Sequence, residues 1–151
     1  MALATKPSDL GLPTEDFAKR PWGLLMETGL DGGAVYSLVV LADGTTSLYF
    51  SNGGGIIGSG AHENVRAASK AMLEVAARHQ SGLRPTLATP QPRPGMVQFY
   101  LLTSQGTLAY SSGEHSLGNN KDPHSELFRA GHEVIAQVRL AKEKQAKESA
   151  R

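Results

Sequence analysis

Several residue types are missing or rare in this chain, and each absence narrows the functions open to it. Cysteine is absent among the 151 residues, which excludes disulfide frameworks, thiolate nucleophiles and cysteine-ligated zinc. Fifteen basic and fourteen acidic residues leave a formal net charge of +1, so no general field attracts nucleic acid. No apolar run approaches the roughly 20 residues that span a bilayer, and residues 1–7 lack the apolar core of a signal peptide. We therefore expect a cytoplasmic protein without a membrane or nucleic-acid partner.

Apolar stretches in the first half of the chain predict a meander of three strands. Residues 22–28 fit either a short helix or a strand, and a strand is favoured because the turn residues that follow would fold it back on the next strand. Residues 34–41 form a near-continuous apolar run, typical of a central strand. Asp43-Gly44 predicts a hairpin turn of the type with positive φ at both central positions, and residues 46–51 return as the third strand.

A glycine-rich loop at residues 52–60 follows this hairpin and leads into a predicted helix at residues 61–79. Apolar residues recur in the helix at helical spacing, which predicts one buried face. Ser59 or Gly60 is the expected N-cap, because small and polar residues favour that position.

A copy of this plan recurs in the second half of the chain. Residues 96–103 and 107–111 predict a second hairpin, and a loop follows it to Asn120. The last helix is expected to begin at Pro123, behind the capping residue Asp122. The sequence therefore predicts two hairpin-then-helix units.

Composition divides the chain into one domain and three irregular segments. Residues 1–13 are expected to form a flexible arm, which leads into the domain at residues 14–140 and its first helical turn at residues 15–19. Within the domain, four prolines in residues 80–95 predict a connector that runs over the surface. Residues 141–151 are charged and lack an apolar stripe, so we expect the last helix to fray there into a solvated tail.

These elements predict a single α+β domain, with about five antiparallel strands in one layer and two long helices on one face. In element order, the layout resembles the small dimeric chaperones of type III secretion systems. Its two hairpin-then-helix units also resemble the roadblock and longin scaffolds. Both resemblances imply a scaffold-like or chaperone-like role, although fold alone does not determine function.

The glycine-rich loop is the first candidate for a ligand site. Its glycines have the spacing of a dinucleotide-binding fingerprint, but that fingerprint needs a parallel strand–helix–strand unit, and the strand here belongs to a hairpin. Glycines chosen for tight turns and close backbone approach are therefore the favoured interpretation. The alternative is a phosphate, nucleotide or other small ligand bound by the loop and the following helix N-terminus. The residues of that alternative site are Gly55, Gly58, Ser59, Gly60, His62 and Arg66.

The histidines and serines form no recognisable catalytic or metal site. His62-Glu63 and His132-Glu133 each lack the second histidine of the zinc motif HExxH. His124 begins the second helix as His62 begins the first, but no spacing brings three ligands together. No serine lies in the GxSxG setting of a hydrolase elbow. We therefore predict no catalytic residue, metal or cofactor, and we favour a protein that is not an enzyme.

The strands are apolar on both sides, which raises the question of what covers the second face of the sheet. Between residues 35 and 41, apolar side chains occupy both alternating sets. With both helices on one face, the second face is a liability unless something covers it. We therefore predict a homodimer that offers a surface to another protein. The rival interpretation is that the N-terminal arm or the proline-rich connector lies across the second face and leaves a monomer.

Overall fold

A computed structural model of the chain describes residues 6–51, 53, 55–56 and 62–149. Within them, one antiparallel sheet carries helices on one face, which confirms the predicted α+β class. The strands are β1 (Gly23–Gly29), β2 (Val35–Leu41), β3 (Thr46–Phe50), β4 (Gly55–Ile56), β5 (Arg84–Pro85), β6 (Met96–Thr103) and β7 (Gly106–Gly113). The helices are α1 (Glu63–His79), α2 (Glu114–Gly118) and α3 (Ser125–Ser149). No helix in these ranges is long and apolar enough to cross a membrane.

The strand order within the described residues is β4-β3-β2-β1-β6-β7-β5, and every neighbouring pair is antiparallel. The central strand is β1, in which Met26 lies opposite Leu38 of β2 and Phe99 of β6. The predicted segment 22–28 is thus a strand from Gly23 onward, as favoured from the sequence, and Trp22 precedes it. The five long strands correspond to the five predicted ones, and the two-residue strands β4 and β5 extend the two edges.

The turn between β2 and β3 differs from the predicted type. Gly44 has a φ of +97°, whereas Asp43 does not have a positive φ. The Gly44 N–H donates to the Leu41 carbonyl at 3.0 Å, and the Thr45 N–H donates to the Asp43 carboxylate at 2.9 Å. One glycine therefore makes the left-handed step in a three-residue loop, and the aspartate acts through its side chain.

Three predicted helix boundaries are corrected by the structure. His62 is the N-cap residue of α1, in place of Ser59 or Gly60, which lie outside the described residues. The long helix α3 begins at Ser125 and not at Pro123, because the Asp122 carboxylate accepts the His124 N–H at 2.8 Å and holds a turn before the helix. The predicted fraying after residue 140 is wrong, since α3 continues to Ser149 through good helix formers.

The main core lies between the sheet and the two long helices. Side chains from alternate positions of β1, β2 and β6 meet apolar side chains of α1 and α3 there. Gly131 allows α3 to come close, because a Cβ atom at this position would lie within 2.9 Å of the side chains of Met26 and Met72. The largest fully buried members include Phe99, Leu24, Met26, Leu38, Leu48, Met72 and Leu101.

The second face of the sheet is covered by other parts of the same chain. Phe17, at the end of a 3-10 turn over Thr14–Phe17, is buried with Trp22 in a cluster that includes Tyr100 and Leu102. The proline-rich connector also crosses this face, because the Tyr100 hydroxyl donates to the Pro90 carbonyl at 3.1 Å. The argument that a partner must cover this face is therefore wrong, because the chain's own segments lie across it, as the rival interpretation expected. The homodimer itself stays a prediction. The flexibility of residues 1–13 stays a prediction.

A row of polar side chains crosses the second face beside this apolar cluster. Opposite one another across the five long strands lie Tyr49, Ser37, Glu27, Gln98 and Ser111. The Ser37 hydroxyl donates to the Glu27 carboxylate at 3.0 Å. Part of the second face is thus polar, and this part needs no apolar cover.

Candidate functional site

The predicted ligand site at the glycine-rich loop can be located only in part. Gly58, Ser59 and Gly60 lie outside the described residues. Gly55 belongs to β4 and lies opposite Tyr49 of β3. A Cβ atom at Gly55 would lie 2.5 Å from the Leu48 carbonyl oxygen, so close approach of two strands explains this glycine.

The other two predicted residues, His62 and Arg66, line separate depressions. His62 lies beside Leu140 and Lys144 of α3, in a shallow depression of about 280 Å³. Arg66, one helical turn later, lines a larger groove of about 640 Å³. The ligand-binding role of each residue stays a prediction, but the two do not share one cavity.

The larger groove, which we call the α1 groove, runs between three segments of the chain. One wall is α1, the second is the turn after β2, and the third is the segment that precedes β1. Its lining residues are Phe17, Arg20, Pro21, Leu41, Ala42, Asp43, Gly44, Arg66, Ser69, Lys70, Leu73, Glu74 and Ala77.

The floor of the α1 groove is apolar and firmly held. Phe17 and Leu41 belong to the buried cluster on the second face. Arg20 is fixed over this floor, because its Nε donates to the Asp16 carbonyl at 2.9 Å and its guanidinium carbon lies 4.8 Å from the centre of the Phe17 ring. A ligand therefore meets a preformed surface at this end of the groove.

The rim of the α1 groove carries charges of both signs. Arg66 and Lys70 lie on successive turns of α1, and Asp43 and Glu74 lie near them. The ion pairs in the described part of the chain join Glu126 to two neighbours elsewhere, so none of these four rim charges has an opposite charge within 4.0 Å there. One carboxylate oxygen of Asp43 accepts the Thr45 N–H, so its other oxygen and the remaining three charges are the groups that can meet a ligand.

The α1 groove has no catalytic constellation among its lining residues. Its one serine, Ser69, is buried and shares a hydrogen bond of 2.7 Å with Thr46. No histidine lines the groove to act as its base. In the part of the chain that the structure describes, no group of three histidine or acidic side chains could hold a metal ion.

A polar cluster that the sequence analysis missed lies at the start of α3. The Asp122 carboxylate accepts hydrogen bonds from the Tyr110 hydroxyl at 2.8 Å and the Ser112 hydroxyl at 2.6 Å. Burial raises the pKa of Asp122, but these bonds and the His124 N–H outweigh it and lower the pKa below 3.8. Asp122 therefore joins β7 to the beginning of α3.

The same cluster brings two histidines into direct contact. Nδ1 of His124 lies 2.8 Å from Nδ1 of His79, and Nε2 of His79 lies 3.0 Å from the Glu126 carboxylate. His124 is only 7% exposed, and its ring packs against the Tyr110 ring at 4.3 Å. Burial, together with the neighbouring His79, lowers the pKa of His124 below 6.5.

The spacing of residues in the sequence does not predict this cluster. His79 and His124 are 45 residues apart, and only the packing of α1 against α3 brings them together. The one local signal was Asp122-Pro123, which indicated a helix start but not the partners of the aspartate.

The chain matches no protein-family model, no curated protein and no solved structure. The fold and the site therefore define its class: an α+β protein with one antiparallel sheet, long helices on one face, and a charged groove beside α1.

Proposed function

We propose that this protein is a non-enzymatic binding module that holds a segment of another protein in the α1 groove. The observation that carries the proposal is the groove itself, where an apolar floor is flanked by charges of both signs. A protein segment offers apolar side chains for such a floor and polar groups for the rim, as interfaces commonly do. The volume of about 640 Å³ is also in the range of established ligand sites.

A small anion is the second candidate occupant, and Arg66 with Lys70 favours it. Like charges one helical turn apart destabilise a helix by about 0.2–0.5 kcal/mol, and an anion between them would remove that cost. Asp43 and Glu74 oppose a free anion, because they lie in the same groove. A protein segment can satisfy both signs, which is why it is the first candidate.

The scaffold-like role also accords with the element order, which resembles that of type III secretion chaperones and of roadblock and longin proteins. Self-association as a homodimer remains part of the proposal, as does a cytoplasmic location. Because residues 6–22 and the connector cover the apolar part of the second face, a dimer would use an exposed apolar side chain elsewhere, such as Leu140 of α3.

Selection of displayed random peptides on the purified protein tests the proposal. We expect enriched peptides to combine apolar residues with charged ones, and to bind in a fluorescence-polarisation assay. Lys70→Glu should weaken their binding about fivefold, since it reverses one rim charge without touching the floor. The effect should shrink as salt is raised.

Lys142→Glu is the matched control, because Lys142 is an exposed lysine on α3, outside the α1 groove. It should leave peptide binding unchanged. Equal effects of the two substitutions, or no peptide enrichment, would contradict the proposal. Competition by inorganic phosphate, abolished by Lys70→Glu, would instead support the small-anion candidate.

A further inference from the structure

The contact between His79 and His124 limits how many protons the pair can hold. The two Nδ1 atoms are 2.8 Å apart, so one must donate a hydrogen and the other must accept it. This hydrogen bond survives when both rings are neutral, or when one of them is cationic. It is lost when both rings are cationic, because two N–H groups then face each other and two positive charges repel.

The surroundings place this contact at a junction of the fold. Arg78 and His79 are in the last turn of α1, and Glu126 is in the first turn of α3. The Arg78 guanidinium donates to Glu126 at 3.1 Å, and His79 occupies the other carboxylate oxygen. A cation near a helix C-terminus and an anion near a helix N-terminus each interact favourably with the helix dipole. Both helix ends therefore stabilise this arrangement.

We propose that His79 and His124 form a proton-sensitive latch, which ties the end of α1 to the start of α3 and opens when both imidazoles become cationic. The connector leaves α1 immediately after His79, through a 3-10 turn over Gln80–Gly82. That turn packs on the latch, since a Cβ atom at Gly82 would lie 2.8 Å from the His124 ring. Opening the latch therefore frees the start of the connector as well as the two helix ends.

Every charged or titratable neighbour of His124 bears on the direction of the effect. Asp122 favours its cation, whereas burial and His79 from α1 disfavour it, and the net result is a lowered pKa. The hydrogen bond from His79 lowers the pKa of Glu126, with a further contribution from Arg78, so this acid stays ionised while His124 titrates. Tyr110 of β7 stays neutral, because burial and Asp122 raise its pKa.

The sign of the pH dependence follows from the lowered pKa of His124. Below 6.5 the unfolded chain binds a proton at this residue and the folded chain does not, so acid favours unfolding. The unfolding equilibrium constant should rise up to about tenfold for each pH unit, from about pH 6.5 down to the folded pKa. Above that window the contribution is constant.

NMR titration of the imidazole carbons in the full chain, from about pH 8 to about pH 5, tests the latch directly. We expect His124 to titrate with a midpoint below 6.5, and the urea midpoint to fall as the pH is lowered below 6.5. His79→Gln removes the second cation, so the midpoint of His124 titration should move upward and the pH dependence of the urea midpoint should become weaker.

His132→Gln is the control, because His132 also has a pKa lowered by burial but packs on Phe128, away from the latch. It should leave the titration of His124 unchanged. The latch is excluded if His124 of the unaltered protein titrates at 6.5 or above, or if His79→Gln leaves its titration where it was. The titration midpoint of His124 in the unaltered protein can be measured without any variant. It therefore tests the latch even if His79→Gln fails to fold. The inference does not depend on the occupant of the α1 groove.

Discussion

At the scale of single residues, Asp122 does the most to define where α3 begins. Its carboxylate accepts hydrogen bonds from two hydroxyl groups of β7 and from the backbone N–H of His124. In addition, its own N–H donates to the Ser125 hydroxyl at 3.2 Å. The residue therefore acts as an N-terminal capping group and as a bridge to the sheet.

Asp122→Ala should lower the free energy of unfolding by about 4 kcal/mol, from about 1 kcal/mol for the lost cap and about 1.5 kcal/mol for each of the two lost hydrogen bonds to a charged group. Urea unfolding at neutral pH measures this loss. Because the pKa of Asp122 is lowered in the folded state, the ionised carboxylate stabilises the fold above pH 3.8. This stabilisation is lost as the pH falls from 3.8 through the folded pKa.

Asp31→Ala serves as the comparison for Asp122→Ala, since Asp31 is an exposed aspartate in a 3-10 turn. It should change the free energy of unfolding by less than about 0.5 kcal/mol. Equal urea midpoints for Asp122→Ala and the unaltered protein would show that the cluster adds nothing to stability.

At the scale of elements, the connector between α1 and β6 is part of the folded structure. Arg84–Pro85 forms β5 on the edge of β7, and Pro92 is buried. Farther on, the connector passes so close to Gly29 of β1 that a Cβ atom there would overlap the Arg93 carbonyl. Glycine at this position lets the connector lie on the second face of the sheet.

Gly29→Ala should therefore displace the connector and lower the free energy of unfolding by about 1–3 kcal/mol, the usual range for overpacking. The matched control is Gly113→Ala, at the end of β7, where a Cβ atom would meet nothing within 4 Å. Neither glycine has a positive φ. Gly113 is also the N-cap residue of α2, so Gly113→Ala should cost the smaller free energy of a less favourable cap, and the larger loss expected for Gly29→Ala comes from the missing space. Similar urea midpoints for the two variants would contradict the close approach.

At the scale of the whole molecule, the sheet lies between two unlike covers. The long helices pack on one face, while residues 6–22 and the connector pack on the other. Homodimer formation, predicted from the sequence, stays a prediction. Sedimentation equilibrium tests it, because a dimer requires a mass near twice 16.0 kDa.

Phe17→Ser should loosen the N-terminal segment and uncover the apolar cluster that contains Trp22 and Leu25. We expect Trp22 emission to shift to longer wavelength, and the sedimentation mass to rise with concentration more steeply than for the unaltered chain. Leu87→Ser, at a fully exposed leucine, should change neither reading. Unchanged emission and mass in Phe17→Ser would mean that the segment does not protect the second face.

Local patterns in the sequence determined the elements of this fold. The apolar run at residues 34–41, the turn residues Asp43-Gly44 and the helical spacing in residues 61–79 each predicted an element that the structure contains. Such patterns act between residues close in the chain, where backbone preferences and the alternation of apolar side chains suffice. They fail at element ends, as at Ser125, because a cap depends on its partners.

Only the tertiary structure decided which surfaces and clusters these elements form. The α1 groove joins Arg20, Asp43 and Lys70 from three segments of the chain, and the latch joins His79 to His124. The cover of the second face likewise depends on where Phe17 and Pro90 pack. No spacing in the sequence encodes these contacts, because they result from how helices and irregular segments pack on a sheet.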